Sequence, residues 1–369
     1  MRILLLVACI SLSTMVQVAA EPIEIMSWNV ENLFDTQDDA TNPHDNSYLP
    51  LADKQSAGAT HVALCEQNNP NPGFFRQQCL TLDWSAATYD TKLGRIVDVL
   101  EALGDLPDVL VLPETENAQV VDDLVAKLGA GAYPTIVALD TSDEPDSRGI
   151  DVAIVSTLPL IGSGVAHKVD FKGDSDICGA TRDIVEANLE LPDGTPLTVL
   201  GVHFPSQGNP VECRIRAFQQ VSEIRASKAE GSLVVVAGDL NFECSELASP
   251  MYERLAFRGG WYVSPVVLAG CNAPGSSKFF DGLLSWNTWS YLDHILVSAG
   301  LSPTQASSLN WFADLGSFQT VVVHPQQILV DDQDRGFIEP RRFDPATGEG
   351  ISDHWPVSIR LLNRRAVEP

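Results

Sequence analysis

The sequence predicts an α/β fold made of two packed sheets flanked by helices. Three observations carry that prediction. About ten short apolar runs alternate with a smaller number of helical patterns. Several runs, such as 135–139 with 150–155 and 184–191 with 197–203, follow one another without an intervening helix, which disfavours a doubly wound single sheet. The composition, 44% hydrophobic and 20% charged over 369 residues, supports a large core and excludes disorder as the main state.

The elements fall in order along the chain. A first strand is expected at 23–29, then a long irregular stretch at 36–88 rich in Asp, Asn, Pro and Gly. Leu93, Ile96, Val97, Leu100 and Leu103 have helical spacing over 92–103, and DVLVLP at 108–113 reads as a fully buried strand. Helices are expected at 117–128, at 211–229 with Val211, Ile215, Phe218, Val221 and Ile224 on one stripe, and at 246–257. Further strands fit 135–139, 150–155, 184–191, 197–203, 233–237, 291–297 and 355–362, and a second long loop fits 331–350. No repeat or interdomain linker divides the chain, so residues 21–369 are expected to form one domain.

Residues 1–20 read as a secretory signal peptide: Arg2, an apolar run over 3–12, and the small-residue site Val18-Ala19-Ala20 before Glu21. The run is too short to span a bilayer and no other stretch reaches that length. The mature chain is therefore expected to be soluble, secreted or periplasmic, after cleavage near Ala20. Beyond Cys9, six cysteines remain, an even number that suits an oxidising compartment. Sequence proximity pairs Cys65 with Cys79, Cys178 with Cys213 and Cys244 with Cys271, although spacing alone does not fix connectivity. No paired zinc spacing is present.

A formal net charge of −26, from 23 Lys plus Arg against 49 Asp plus Glu, disfavours binding nucleic acid or anionic membranes through a broad basic surface. It leaves local phosphate recognition open, because a divalent cation reverses the sign of a site at close range.

Polar residues gather where apolar strands end. Asn29 and Glu31 follow Ile25-Met26-Ser27-Trp28, Glu114 follows VLVLP, His203 follows LTVLGV, Asp239 and Asn241 follow LVVVAG, and Asp353 and His354 precede Trp355-Pro356-Val357. Asp293 lies inside an apolar strand, where a carboxylate needs a partner. Singly, each has an ordinary reading as a turn, cap or ion-pair residue. Together they supply oxygen ligands without thiolates, which suit Mg²⁺, Mn²⁺ or Ca²⁺. Histidines beside carboxylates add acid–base capacity near neutral pH, and the combination is what metal-assisted phosphate ester hydrolysis needs. H-E-x-x-H, G-x-S-x-G and the P-loop motif are all absent.

In order, W-N-V-E-N-L-F (28–34), L-P-E-T-E (112–116), R-G-I-D-V-A (148–153), V-H-F-P-S (202–206), G-D-L-N (238–241), Y-L-D-H-I (291–295) and S-D-H-W-P (352–356) resemble the endonuclease/exonuclease/phosphatase superfamily. That superfamily includes deoxyribonuclease I, apurinic endonucleases, neutral sphingomyelinases and inositol polyphosphate 5-phosphatases. The resemblance implies a four-layer α/β/β/α sandwich of two mixed sheets and Mg²⁺-dependent phosphoester cleavage, with Mn²⁺ or Ca²⁺ as alternatives. It implies Glu114 as principal metal ligand with Asn29 and Asp353 nearby. Asp239 and Asn241 would orient or activate water and hold the phosphate. His354, oriented by Asp293, would act as base or bind phosphate, and His203 would stabilise phosphoryl oxygens or assist the leaving group. Asn29, Arg148 and Asn241 are the implied substrate contacts. Pro113 stands where relatives often carry Gln, and Glu31 where some nucleases have Asp. His294 neighbours Asp293 and points to the opposite face of its strand.

Fold analogy does not select the substrate. Nucleic acid or a general phosphodiester ranks first, a phospholipid headgroup cleaved in the manner of a sphingomyelinase second, and a non-catalytic secreted binding module is the alternative from another class. Trp286, Trp289 and Tyr291, with Phe279 and Phe280, form an aromatic segment suited to base stacking, membrane contact or core packing. Nothing in the sequence points to an obligate protein partner.

Overall fold

The computed structural model describes residues 21–39, 42, 45–141, 149–171, 173–268, 274–278, 289–303, 310–330 and 338–364. Its centre is a pair of six-stranded sheets. The first runs, edge to edge, Trp311–Thr320, Val357–Asn363, Ile23–Ser27, Val109–Thr115, Asp151–Ser156 and Thr135–Ala138. The second runs Val165–His167, Ile184–Glu190, Pro196–His203, Leu233–Asp239, Asp293–Ser298 and Trp261–Tyr262. Both sheets are mixed, as expected. Each has one parallel pair at its middle, Ile23–Ser27 with Val109–Thr115 and Pro196–His203 with Leu233–Asp239.

Strand periodicity divides the apolar residues between two cores. Ile23, Ile25, Val109, Val111, Val152 and Ile154 of the first sheet join Val199, Val235 and Val297 of the second in one buried cluster. The alternate residues Met26, Leu110, Leu112, Ala153 and Val155 join helices Ala86–Ala102 and Ala118–Leu128 on the outer side. Helices Val211–Ser227 and Pro250–Gly259 pack with the second sheet, where Tyr252 hydrogen-bonds His294 at 2.7 Å. The layers are helix, sheet, sheet, helix. Gly201 lets the sheets approach: a Cβ there would lie 2.9 Å from Val152 Cγ1.

Local chemistry explains several boundaries. Ser85 accepts the Thr88 N–H, so the helix expected at 92–103 begins two turns earlier, through a polar stretch without apolar periodicity. Asn117 caps the next helix through Val120 N–H, and Gly129 follows it. In Val211–Ser227 the buried stripe is Cys213, Arg214, Ala217, Phe218, Val221 and Ile224, whereas Val211 and Ile215 are only half-buried. The helix expected at 246–257 is two, Cys244–Leu247 and Pro250–Gly259, divided by the proline.

Three differences from the sequence reading are larger. The stretch 36–88 is not irregular: it holds helices Leu51–Ala57, Ala59–Asn68 and Phe74–Thr81 after a 3₁₀ turn at Asp45–Tyr48. These helices bury few side chains, so the periodic apolar signal is missing. The ten-residue edge strand Trp311–Thr320 was not expected, because Gly316 and a register shift after Asp314 interrupt its alternation. Within 331–350, Ile338–Pro340 pairs with Ile328–Val330 in a two-stranded ribbon.

Disulfides join Cys65 to Cys79 and Cys178 to Cys213. The third expected pair involves Cys271, which lies outside the described residues. Trp289 and Tyr291 are core residues, tilted at 31° against Trp355 at 4.8 Å and edge-on to Phe318 at 5.5 Å respectively, while Phe279, Phe280 and Trp286 lie outside the described residues.

Gly238, one residue before Asp239, has φ 151°, and a Cβ there would lie 1.9 Å from the Val202 carbonyl oxygen on the neighbouring strand. Gly238→Ala should therefore destabilise the fold by about 2 kcal/mol or more, read as a lower urea midpoint at unchanged slope.

Candidate active site

The C-terminal ends of the four central parallel strands point to one place. Asn29 follows Ile23–Ser27, Glu114 is the penultimate residue of Val109–Thr115, and His203 and Asp239 end their strands. Open α/β sheets offer ligand groups at such carboxyl ends. In the second sheet, His203 is in register with Asp239, and Asp239 with Asp293, so the three side chains share one row and one face.

Glu114 leaves its strand by a bulge. The register with Asp151–Ser156 shifts between Pro113 and Thr115, and Glu114 has φ 67°. The loop after the first strand is stitched to the bulge by Val30 N–H to Pro113 O at 3.2 Å and Leu33 N–H to Glu114 O at 2.8 Å. Among the described residues, the non-glycine positions with positive φ are Glu31, Asn32, Glu114 and Asn241, all in the segments that carry or adjoin these site residues. Such backbones cost about 1–3 kcal/mol each and persist where the surroundings fix them.

Asn29 joins the two sheets. Its Nδ2 donates to Glu114 Oε1 at 3.2 Å and to Asp239 Oδ2 at 3.1 Å, while its Oδ1 accepts the Glu31 N–H. His203 Nε2 is 3.8 Å from Glu114 Oε1 and 3.6 Å from Asp239 Oδ2. Asp239 Oδ1 accepts the Asn241 N–H, and Asn241 Nδ2 donates to Phe204 O. His354 Nδ1 is 2.6 Å from Asp293 Oδ2, and its Nε2 is 3.9 Å from Asp239 Oδ2. Ser352 ties the last site segment to the first by donating to Asn29 O at 2.7 Å. Asn29, Glu114, His203, Asp239, Asn241, Asp293 and His354 are all buried.

Asp353 is the most exposed of these site acids. Its Oδ2 pairs with Arg342 at 2.9 Å, and its backbone N–H reaches Glu31 Oε2 at 3.1 Å. Arg342 also pairs with Glu31 Oε1 at 2.5 Å. Beneath them, fully buried Lys92 donates to Ile351 O and lies 5.2 Å over the Phe343 ring. Arg148 lies outside the described residues. His294 does not join the site: on the opposite face of its strand it contacts Tyr252 and Tyr291 O.

Burial and crowded charge perturb these groups. Burial pushes Asp239 up to about 7; His354 opposes the shift and Asp293 adds to it. Burial disfavours the charged form of His354, but Asp293, Asp353 and Asp239 outweigh it and hold the imidazolium well above its ordinary range. Glu31 is raised to about 7 by burial and by Asp353, against Lys92 and Arg342. Burial lowers Lys92 to about 8 although Glu31, Asp353 and Glu114 favour its charge. His294, buried away from these acids, is pushed down to about 4.

The cluster opens on a cleft of about 1070 Å³ lined by Glu114, His203, Asp239, Asn241, Asp353 and His354. Arg182, Lys278, Arg341 and Arg342 also line it, beside the acids Glu114, Asp239, Glu339, Asp344 and Asp353, so the cleft is far closer to charge balance than the chain as a whole. Sequence reasoning missed these four and Lys92, whose surroundings show no motif; Arg341 and Arg342 fell inside a stretch read as loop. Glu114 and Asp353, whose carboxylates both line this cleft, supply hard oxygen donors of the kind that suits a divalent cation, and the Asn29 amide N–H steadies Glu114 Oε1.

Among curated proteins, no sequence match is found. Among solved structures, SmcL is 15% identical with a TM-score of 0.52, over 92% of this chain and 98% of its own. TDP2 from D. rerio, complexed with a single-strand DNA product, gives 15% and 0.52 over the same shares. TDP2 from Caenorhabditis elegans gives 13% and 0.51, over 93% of this chain and 74% of its own. At these identities the likeness is one of fold, the sandwich built above. The sequence itself matches the Endonuclease/Exonuclease/phosphatase family over residues 74–363, most of its length. The chain belongs to the endonuclease/exonuclease/phosphatase family, whose members are hydrolytic phosphoesterases.

Proposed function

We propose that the protein is a secreted, Mg²⁺-dependent phosphodiesterase, acting on nucleic acid or related diesters, with residues 1–20 as its export signal. The observation that carries the reading is the buried row His203–Asp239–Asp293, joined through Asn29 to Glu114 and through Asp293 to His354. Glu114, with Asn29 and Asp353, would hold the cation, with Mn²⁺ or Ca²⁺ as substitutes. When bound, it supplies neutralisation of charge on the phosphoryl oxygens.

The protein groups then divide the remaining work. A carboxylate raised to about 7 is matched to removing a proton from water at neutral pH, which suits Asp239 as base. Asn241 fixes Asp239 through its N–H, and its side chain, held by Phe204 O and the Gln207 amide, lines the cleft where the phosphate would sit. His354, held protonated by Asp293, presents a positive Nε2 to a phosphoryl oxygen. His203 serves the phosphoryl oxygens or the leaving group. Arg182, Lys278, Arg341 and Arg342 draw an anionic substrate into the cleft despite the overall charge.

Purified protein lacking residues 1–20 should hydrolyse bis-(p-nitrophenyl) phosphate with Mg²⁺ or Mn²⁺, stop in EDTA, and recover when metal is restored. His203→Ala and Asp239→Ala should each lose about 10²–10⁴-fold in kcat with circular dichroism unchanged; full activity in either variant refutes the site assignment. The pH profile should be bell-shaped. Activity falls below about pH 7 as Asp239 takes up a proton, and falls on the alkaline side as His354 loses its own. Asp293→Asn removes the main group favouring the imidazolium, so the alkaline limb should move to lower pH while the acid limb does not move upward.

A further inference from the structure

We propose that a second trough beside the catalytic cleft is a nucleobase-binding subsite, which makes single-stranded nucleic acid the substrate class; the inference rests on the phosphoesterase reading above. The trough, about 820 Å³, shares Glu114, Arg342, Asp344 and Asp353 with the main cleft. A phosphodiester at Glu114 therefore has room for a substituent on each side. The volume is within the range of small-ligand pockets, about 300–1,000 Å³.

Its outer wall is the helical insertion between the first strand and the helix Ala86–Ala102, with Ala59–Asn68 tied to Phe74–Thr81 by Cys65–Cys79. Two kinds of group line it. Phe74 and Phe75 are each 69% exposed, with ring centroids 5.5 Å apart and edge-on, unusual for large apolar side chains without a role in contact. Tyr48, stacked on Phe34 at 4.1 Å, is a third ring. The amides of Asn69, Gln77 and Gln78 line it as well, those of Asn69 and Gln77 also donating at 3.4 Å to Cys65 O and Thr81 Oγ1.

That mixture decides between occupants. An acyl chain laid along the trough would desolvate the amide groups that the helices do not already engage, at about 1–3 kcal/mol for each, and give them no partner. An unpaired base has a π face for the rings and a donor–acceptor edge for the amides. Arg342 is the single Lys or Arg among the described lining residues, so the trough holds bases and leaves the scissile phosphate at the catalytic end. A duplex, with faces stacked and edges paired, offers neither surface.

The test compares dissociation constants, by fluorescence anisotropy in Mg²⁺, for a labelled phosphorothioate tetrathymidylate and an abasic phosphorothioate of equal length. The abasic strand should bind roughly fivefold or more weakly, and Phe74→Ala/Phe75→Ala should bring the thymidylate down to the abasic value. Emission of Phe74→Trp should be quenched by the thymidylate and not by the abasic strand, independently of how the double variant folds. Equal affinity for the two strands overturns the subsite, as does an unquenched tryptophan. So does a double variant that loses sedimentation with phosphatidylcholine vesicles while keeping oligonucleotide affinity, which would make the rings a lipid contact. If wild type turns over bis-(p-nitrophenyl) phosphate and yet does not distinguish the strands, this inference alone fails; absence of turnover overturns the phosphoesterase reading itself.

Discussion

The site depends on register. His203, Asp239 and Asp293 are neighbours because three strands of the second sheet pair with no slip at their ends, and a shift of one residue would turn each side chain to the helix-covered face. His294 illustrates the alternative. One position along from Asp293, it is a buried neutral ring among aromatic residues. The deep cores on both faces of the sheets hold that register, since slippage would exchange the inner and outer apolar sets.

Concentrating acids in a place water scarcely reaches is unfavourable unless positive charge is close. The chain answers with cations of graded exposure: Lys92 beneath, the imidazolium of His354 beside Asp293, and Arg342 at the rim. The formal charge of −26 thus describes the whole chain and not the cleft, where four Lys and Arg side chains stand against five acids.

Much of this was legible in sequence where local pattern and physical demand coincide. Buried strands such as Leu233–Asp239 announce themselves by unbroken β-branched runs, and a polar residue at the end of such a run has few roles besides a turn or a site. Glu114, Asn29, His203, Asp239 and Asn241 were found in that way, Asp293 as a carboxylate inside an apolar strand and His354 just before one, and the seven meet in space. Lys92 was not, because one lysine in an amphipathic helix reads as surface until the loop packed over it is known. Arg342 lay in a stretch with no periodicity. The insertion helices Leu51–Ala57, Ala59–Asn68 and Phe74–Thr81 rest on a disulfide and a few buried groups in place of an apolar stripe, so their sequence carries the signature of a loop.

The strand Val357–Asn363 lies between the first strand of the chain and Trp311–Thr320, and the segment just before it supplies Asp353 and His354. Asn29 and Ser352, from opposite ends of the sequence, are bonded to each other. Chain closure and site assembly are thereby a single event. During synthesis the first sheet stays split until Val357–Asn363 inserts, and only then do Asp353 and His354 reach the other site residues. A chain made only as far as Trp311–Thr320 therefore lacks two members of the candidate site, Asp353 and His354.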